Sequence, residues 1–192
     1  VDASLDIVNC VFSGNRATLG GALHVTYSSY SAATPVTVRH CTFVGNSAGT
    51  GKAIYLSYED VKLSLFNCVV WGADADQIRL QNGLPTLKLT QCLLQGGVDS
   101  VLRKVGVVEV EGAILVADPQ FADADGADGV LGSADDNLRL TAGSPCVDTG
   151  TSVGASAHDV DGAARPQGLQ VDLGAYEFAG GRSASGLTVT VR

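Results

Sequence analysis

Four segments of this chain align on cysteine without a gap: LDIVNCVFSGN (5–15), VTVRHCTFVGN (36–46), LSLFNCVVWGA (63–73) and LKLTQCLLQGG (87–97). Cys10, Cys41, Cys68 and Cys92 follow one another at 31, 27 and 24 residues, a spacing that marks an internal repeat. Leu5, Val36, Leu63 and Leu87 fill the first column and Ile7, Val38, Leu65 and Leu89 the third. Between them lie the polar Asp6, Thr37, Ser64 and Lys88, so each line alternates like a strand with one buried face. The fifth column, Asn9, His40, Asn67 and Gln91, is polar and reads as a bend. Phe12, Phe43, Val70 and Leu94 return to the interior. Gly14, Gly45, Gly72 and Gly96 close each line, where the backbone turns with φ above zero.

A second strand per unit is legible in GGALHV (20–25), GKAIYL (51–56) and, more loosely, DQIRL (76–80). No segment carries helical periodicity, so the crossover helices of alternating β/α folds are missing. Strands that repeat without helices predict an all-β chain wound as a right-handed parallel β-helix, a single-stranded solenoid over 1–117. An exposed end rung leaves unpaired backbone groups, so further coils or a cap are expected before Val1 and the chain reads as part of a longer polypeptide.

Composition narrows the partners. Lys+Arg 12 against Asp+Glu 20 leaves a net charge of −8, which argues against nucleic acid or anionic lipid, since both call for basic surface. No run of eighteen apolar residues is present, so no transmembrane helix is expected. The cysteines lack the close couples of a zinc site; their column reads as buried thiols stacked in a solenoid interior. Cys10, Cys41, Cys68 and Cys92 are therefore assigned a structural role.

The pattern N-C-x-F-x-G-N followed by G-G-A-[LI], carried here by NCVFSGN with GGAL and HCTFVGN with GKAI, resembles the repeats of bacterial β-helix surface proteins, including polymorphic outer membrane proteins. The resemblance covers residues 1 to about 97 and implies a fold more than an activity.

From Asp118 onward the chain turns acidic: residues 118–172 hold ten Asp, with Arg139 and Arg165 as the strong bases. Asp123, Asp125, Asp128, Asp135 and Asp136 crowd into fourteen positions among glycines. Carboxylates so placed repel one another unless neutralised, and oxygen-only ligands on an irregular loop suit Ca²⁺. The spacing is not an EF-hand; position twelve of that pattern is Ala134. The alternative is a solvated acidic loop. Calcium is the expected cofactor, stiffening an irregular C-terminal cap over 118–178.

NLRLTAGSPCVDTG (137–150), DVDGAARPQG (159–168) and VDLGAYEF (171–178) are together similar to the C-terminal segment of bacterial choice-of-anchor Q proteins, with Cys146 where a smaller residue is usual. That resemblance implies an extracellular β-helix and no single activity. Arg165 lies among Asp159, Asp161, Asp172 and Glu177 and is expected to fork onto Asp172 or Glu177 as a structural knot. AGGRSASG then reads as a linker and GLTVTVR (186–192) as a strand, giving 179–192 as linker and terminal strand.

Function is open between two classes. One is a secreted or cell-surface structural or binding module, adhesin-like and calcium-binding, contacting polysaccharide or another surface protein. Its ligand face would use the outward residues His24, Tyr55 and Arg79 on the second strand, with Arg39 and Phe66 on the first. The other is a polysaccharide lyase or glycoside hydrolase, for which no residues converge in the sequence.

Overall fold

The computed structural model describes residues 4–26, 34–58, 60–72 and 75–180; apart from one 3-10 turn, its described elements are all strands. The first coil holds β1 (Leu5–Val8), β2 (Val11–Ser13), β3 (Arg16–Leu19) and β4 (Leu23–Thr26). The second repeats it as β5 (Val36–Arg39), β6 (Thr42–Val44), β7 (Ser47–Thr50) and β8 (Ile54–Ser57). β9 (Lys62–Phe66), β10 (Val69–Trp71) and β11 (Ile78–Gln81) form the third, and β12 (Thr86–Leu94) and β13 (Val101–Arg103) the fourth. β14 (Val107–Leu115) adds one more rung.

Every one of these strands pairs in parallel with its counterpart in the neighbouring coil, the pattern of a β-solenoid. The sequence columns become rungs: Leu5, Val36, Leu63, Leu87 and Val108 stand in register, as do Ile7, Val38, Leu65, Leu89 and Val110. Val38, Leu63, Leu65, Leu87 and Leu89 are fully buried in one core, and each such side chain contributes roughly 1.5–3 kcal/mol. Phe12 stacks on Phe43 with ring centroids 4.7 Å apart and planes at 6°.

The bend column is a left-handed corner. Asn9, His40, Asn67 and Gln91 have φ of 52°, 50°, 51° and 50°, and the residue after each is the repeat cysteine, whose thiol donates to the carbonyl two residues back. A second carbonyl on the adjacent coil faces three of them: Cys41 meets Ile7 O, Cys68 meets Val38 O and Cys92 meets Leu65 O. All remain free thiols. β14 continues the ladder with Ile114 opposite Cys92, so the solenoid runs one rung beyond the last cysteine line.

Residues 118–180 carry one antiparallel strand pair, β15 (Phe121–Asp123) and β16 (Asn137–Leu140), with an isolated antiparallel bridge between His158 and Ala164, and otherwise run as turns and irregular chain. The segment lies along the flank of the coils. Val69 and Leu93, on the outer side of the second face, are buried with Leu140, Cys146, Val147 and Leu173 in a second core that Trp71, Leu115, Phe121 and Phe178 border. Hydrogen bonds join the segment to Asn9 and Ser13 in the first coil, Thr42 in the second, Asn67 in the third and Gln91 in the fourth. The last rung is left uncovered: Val107 is 50% exposed and Val110 48%. The expected C-terminal segment thus packs on the coils as a side strap. Residues 181–192, most of the expected linker and all of the expected terminal strand, lie outside the described residues.

Candidate functional site

The corner column ties coils to strap. Asn67 presents its amide like a short stretch of strand: Oδ1 accepts from Thr151 N at 2.9 Å and Nδ2 donates to Thr151 O at 2.8 Å. Gln91 Nε2 donates to Thr149 O at 2.7 Å, while its Oε1 accepts from Ala113 N at 3.0 Å. Asn9 Nδ2 donates to His158 O at 2.6 Å. His40, wholly buried beside the Asn67 amide, has its pKa pushed down to about 3, by burial first and then by the Arg165 and Arg39 charges. Its imidazole is neutral at pH 7.

Behind this corner sits the polar knot. Arg165 Nη1 donates to Glu177 Oε2 at 2.7 Å, and the guanidinium also reaches Asp172 O and Gly174 O. The side chains of the pair are 0% and 1% exposed. Every carboxylate of the knot serves as an acceptor for backbone N–H groups: Asp159 for Asp161, Ala163 and Glu177, Asp172 for Asp148 and Phe178, and Glu177 for Gln167 and Asp172. Burial lifts the Asp172 pKa to about 6. Asp161 is outside the knot, paired with Arg139 at 2.8 Å.

The strap walls a groove of about 710 Å³ against the first face of the solenoid. Its floor is two outward columns: Asp6, Thr37, Ser64 and Lys88, then Arg39, Phe66, Thr90 and Glu111. Thr151, Val153 and Gly154 form the wall, and Arg39 Nη1 donates to Gly154 O at 3.2 Å. Arg39 pairs with Asp6 at 3.1 Å and Lys88 with Glu111 at 2.7 Å, which brackets Phe66 between two exposed ion pairs. Arg39 Nε is buried without a partner. The groove therefore offers donors, acceptors and one aromatic face, spaced by rungs about 4.8 Å apart.

Arg39 and Phe66 thus share a groove, while His24, Tyr55 and Arg79 form a register column on another face. In that column His24 is exposed, whereas Tyr55 and Arg79 are covered. Tyr55 points away from the core yet is only 4% exposed, with the His24 ring at 5.0 Å, and Arg79 is gripped by Asp76 at 2.7 and 3.0 Å. Alternation gives a side chain's direction and not what covers it.

In the acidic loop Asp128 accepts from Val130 N, Asp135 from Ala127 N and Asp128 N, and Asp136 from Gly132 N and Ser13 Oγ. Ser133 Oγ also bonds Asp135 and Asp136. Hydrogen bonding holds the Asp135 carboxyl below its usual range. Among the described residues no three His, Cys, Asp or Glu side chains converge as for a metal ion. Backbone N–H groups and the Ser13 and Ser133 hydroxyls are the hydrogen-bond donors to these carboxylates. Leu131 wedges the loop onto the coils, and a side chain on Gly14 or Gly45 would strike it. The four buried thiols are chemically quiet: burial pushes Cys41, Cys92 and Cys146 up to about 12 and Cys68 well above its ordinary value.

Sequence reasoning missed the corner's second task, docking the strap; a column of side chains able to both donate and accept was its one signal. No curated protein and no solved structure matches the chain. The Chlamydia polymorphic membrane protein repeat matches residues 9–26, from the corner Asn9 through Thr26, the end of β4, so the first coil is similar to a repeat of that kind.

Proposed function

We propose that this chain is a right-handed β-helix module of a bacterial cell surface that binds polysaccharide along the groove between its first face and the strap. The groove carries the reading: Phe66 supplies a face for a sugar ring, and the flanking hydroxyls and ion pairs supply both donors and acceptors, as a polyhydroxylated chain requires. Columns repeating at about 4.8 Å suit successive sugars of a chain laid along the solenoid axis. The matched repeat, described as that of a membrane protein, and the net charge of −8 support display at a surface.

Titration calorimetry with pectate, alginate and chondroitin oligosaccharides tests the proposal. Saturable binding by one of them, weakened about tenfold by Phe66→Ala, is expected; tenfold is about 1.4 kcal/mol. Binding to none, or binding indifferent to Phe66→Ala and Arg39→Ala together, rejects the groove. Absorbance of unsaturated products in the same mixtures separates binding from the alternative of a lyase.

A further inference from the structure

A second cleft, of about 370 Å³, opens where the third coil meets the C-terminal segment. Trp71, Phe121 and Leu131 supply its apolar lining, and the charged groups on that lining are the carboxylates of Asp118 and Asp125. Neither carboxylate belongs to an ion pair among the described residues. Among the described residues Asp118 accepts the backbone N–H of Gln120, at 2.8 Å, and the nearby Gly72 N–H is given to Gln95. The contrast with the groove on the first face is chemical: there both signs of charge are present and paired, whereas here two carboxylates share a lining with an indole and, among the described residues, no cationic side chain belongs to that lining.

We propose that this cleft takes a guanidinium group on an aliphatic stem, the chemistry of an arginine side chain of a partner polypeptide. A guanidinium is donor-only and permanently charged, so it complements acceptor-only carboxylates. Its flat face stacks on an indole, the best of the aromatic partners for a cation, while its edge forks onto a carboxylate. It is also less strongly hydrated than an ammonium, and its methylene stem suits the Phe121 and Leu131 surface.

Trp71 is the one tryptophan of the chain, so its fluorescence reports this cleft directly. N-acetyl-L-arginine amide is titrated into the full chain, with N-acetyl-L-citrulline amide as the neutral isostere and CaCl₂ as a metal control. A saturable change in Trp71 emission with the arginine compound, at least tenfold weaker with citrulline, is expected. Asp118→Asn/Asp125→Asn weakens the arginine response at least tenfold while far-UV circular dichroism stays unchanged; each single variant serves if the double variant misfolds. Free L-arginine binding more tightly than the amide assigns the source to a small molecule and keeps the guanidinium chemistry. Equal responses to arginine and citrulline amides, saturation by CaCl₂ alone, no saturable change, or a double variant that binds as well as the parent overturns the proposal.

Discussion

The coils and the strap solve the same problem by opposite means. In the coils each rung offers the next an identical environment, so Leu63 lies between Val36 and Leu87 and burial does the work. The strap has few strands and little repetition, so it is held by directed bonds: corner amides on one side, and on the other a buried ion pair with carboxylates capping backbone N–H groups. Stacked apolar columns tolerate local change because each contact is one of many. A polar knot does not, because removing one member strands the others without water.

The largest expected effect therefore lies in the knot. Arg165→Met leaves Glu177 buried without its cation and two carbonyls without a donor, and should cost about 3–5 kcal/mol in urea unfolding. Leu65→Ala, at the centre of the coil core, should cost about 3 kcal/mol through lost burial and a cavity. Limited proteolysis sharpens the contrast: Arg165→Met should expose 118–180 to cleavage first, Leu65→Ala should not. A Leu65→Ala variant less stable than Arg165→Met would reverse the ranking.

This division also sets what could be read beforehand. The inward columns were legible because a strand with one buried face writes its period into the sequence. β3 and β7 were not, since RATL and SAGT carry no apolar alternation and only two coils share them. β14 escaped because Ile114 replaces the cysteine that anchored the alignment. The knot was legible as composition, one arginine among acids, but not as geometry: Glu177 meets Arg165 across eleven intervening residues and Asp159 reaches the N–H of Glu177. Such bonds leave no periodic trace.

Two buried groups at the strap's foot give a pH test of intermediate size. His40 is neutral when folded, with its pKa near 3 against 6.5 unfolded, so its contribution is present above pH 6.5 and drains as pH falls toward 3. Asp172 runs the other way: its pKa near 6 lies above the unfolded 3.8, so the folded state binds the proton first and gains stability as pH falls from about 7 to 4. Between pH 7 and pH 4 the two therefore oppose each other, the first losing stability and the second returning it. Asp172→Asn should expose the loss as a falling stability toward acid, and His40→Asn should leave a rise. Urea midpoints across pH 4–7 check this; parallel profiles for the three proteins would show that the pair does not set the pH response.

Calcium should matter least. We propose that it binds the acidic loop only at the weak affinity typical of extracellular modules, because Asp128, Asp135 and Asp136 already accept backbone N–H groups and need no metal to coexist. With a dissociation constant of about 1 mM, 2 mM Ca²⁺ contributes about 0.6 kcal/mol, a rise of roughly 1–2 °C in melting temperature for a chain of this size. EDTA should return the melt to its calcium-free position, and Asp128→Asn with Asp135→Asn should abolish the rise. A shift beyond about 5 °C would make the metal, and not the N–H groups, the element that closes the loop. No shift at all would remove calcium and leave the strap held entirely by the chain's own bonds.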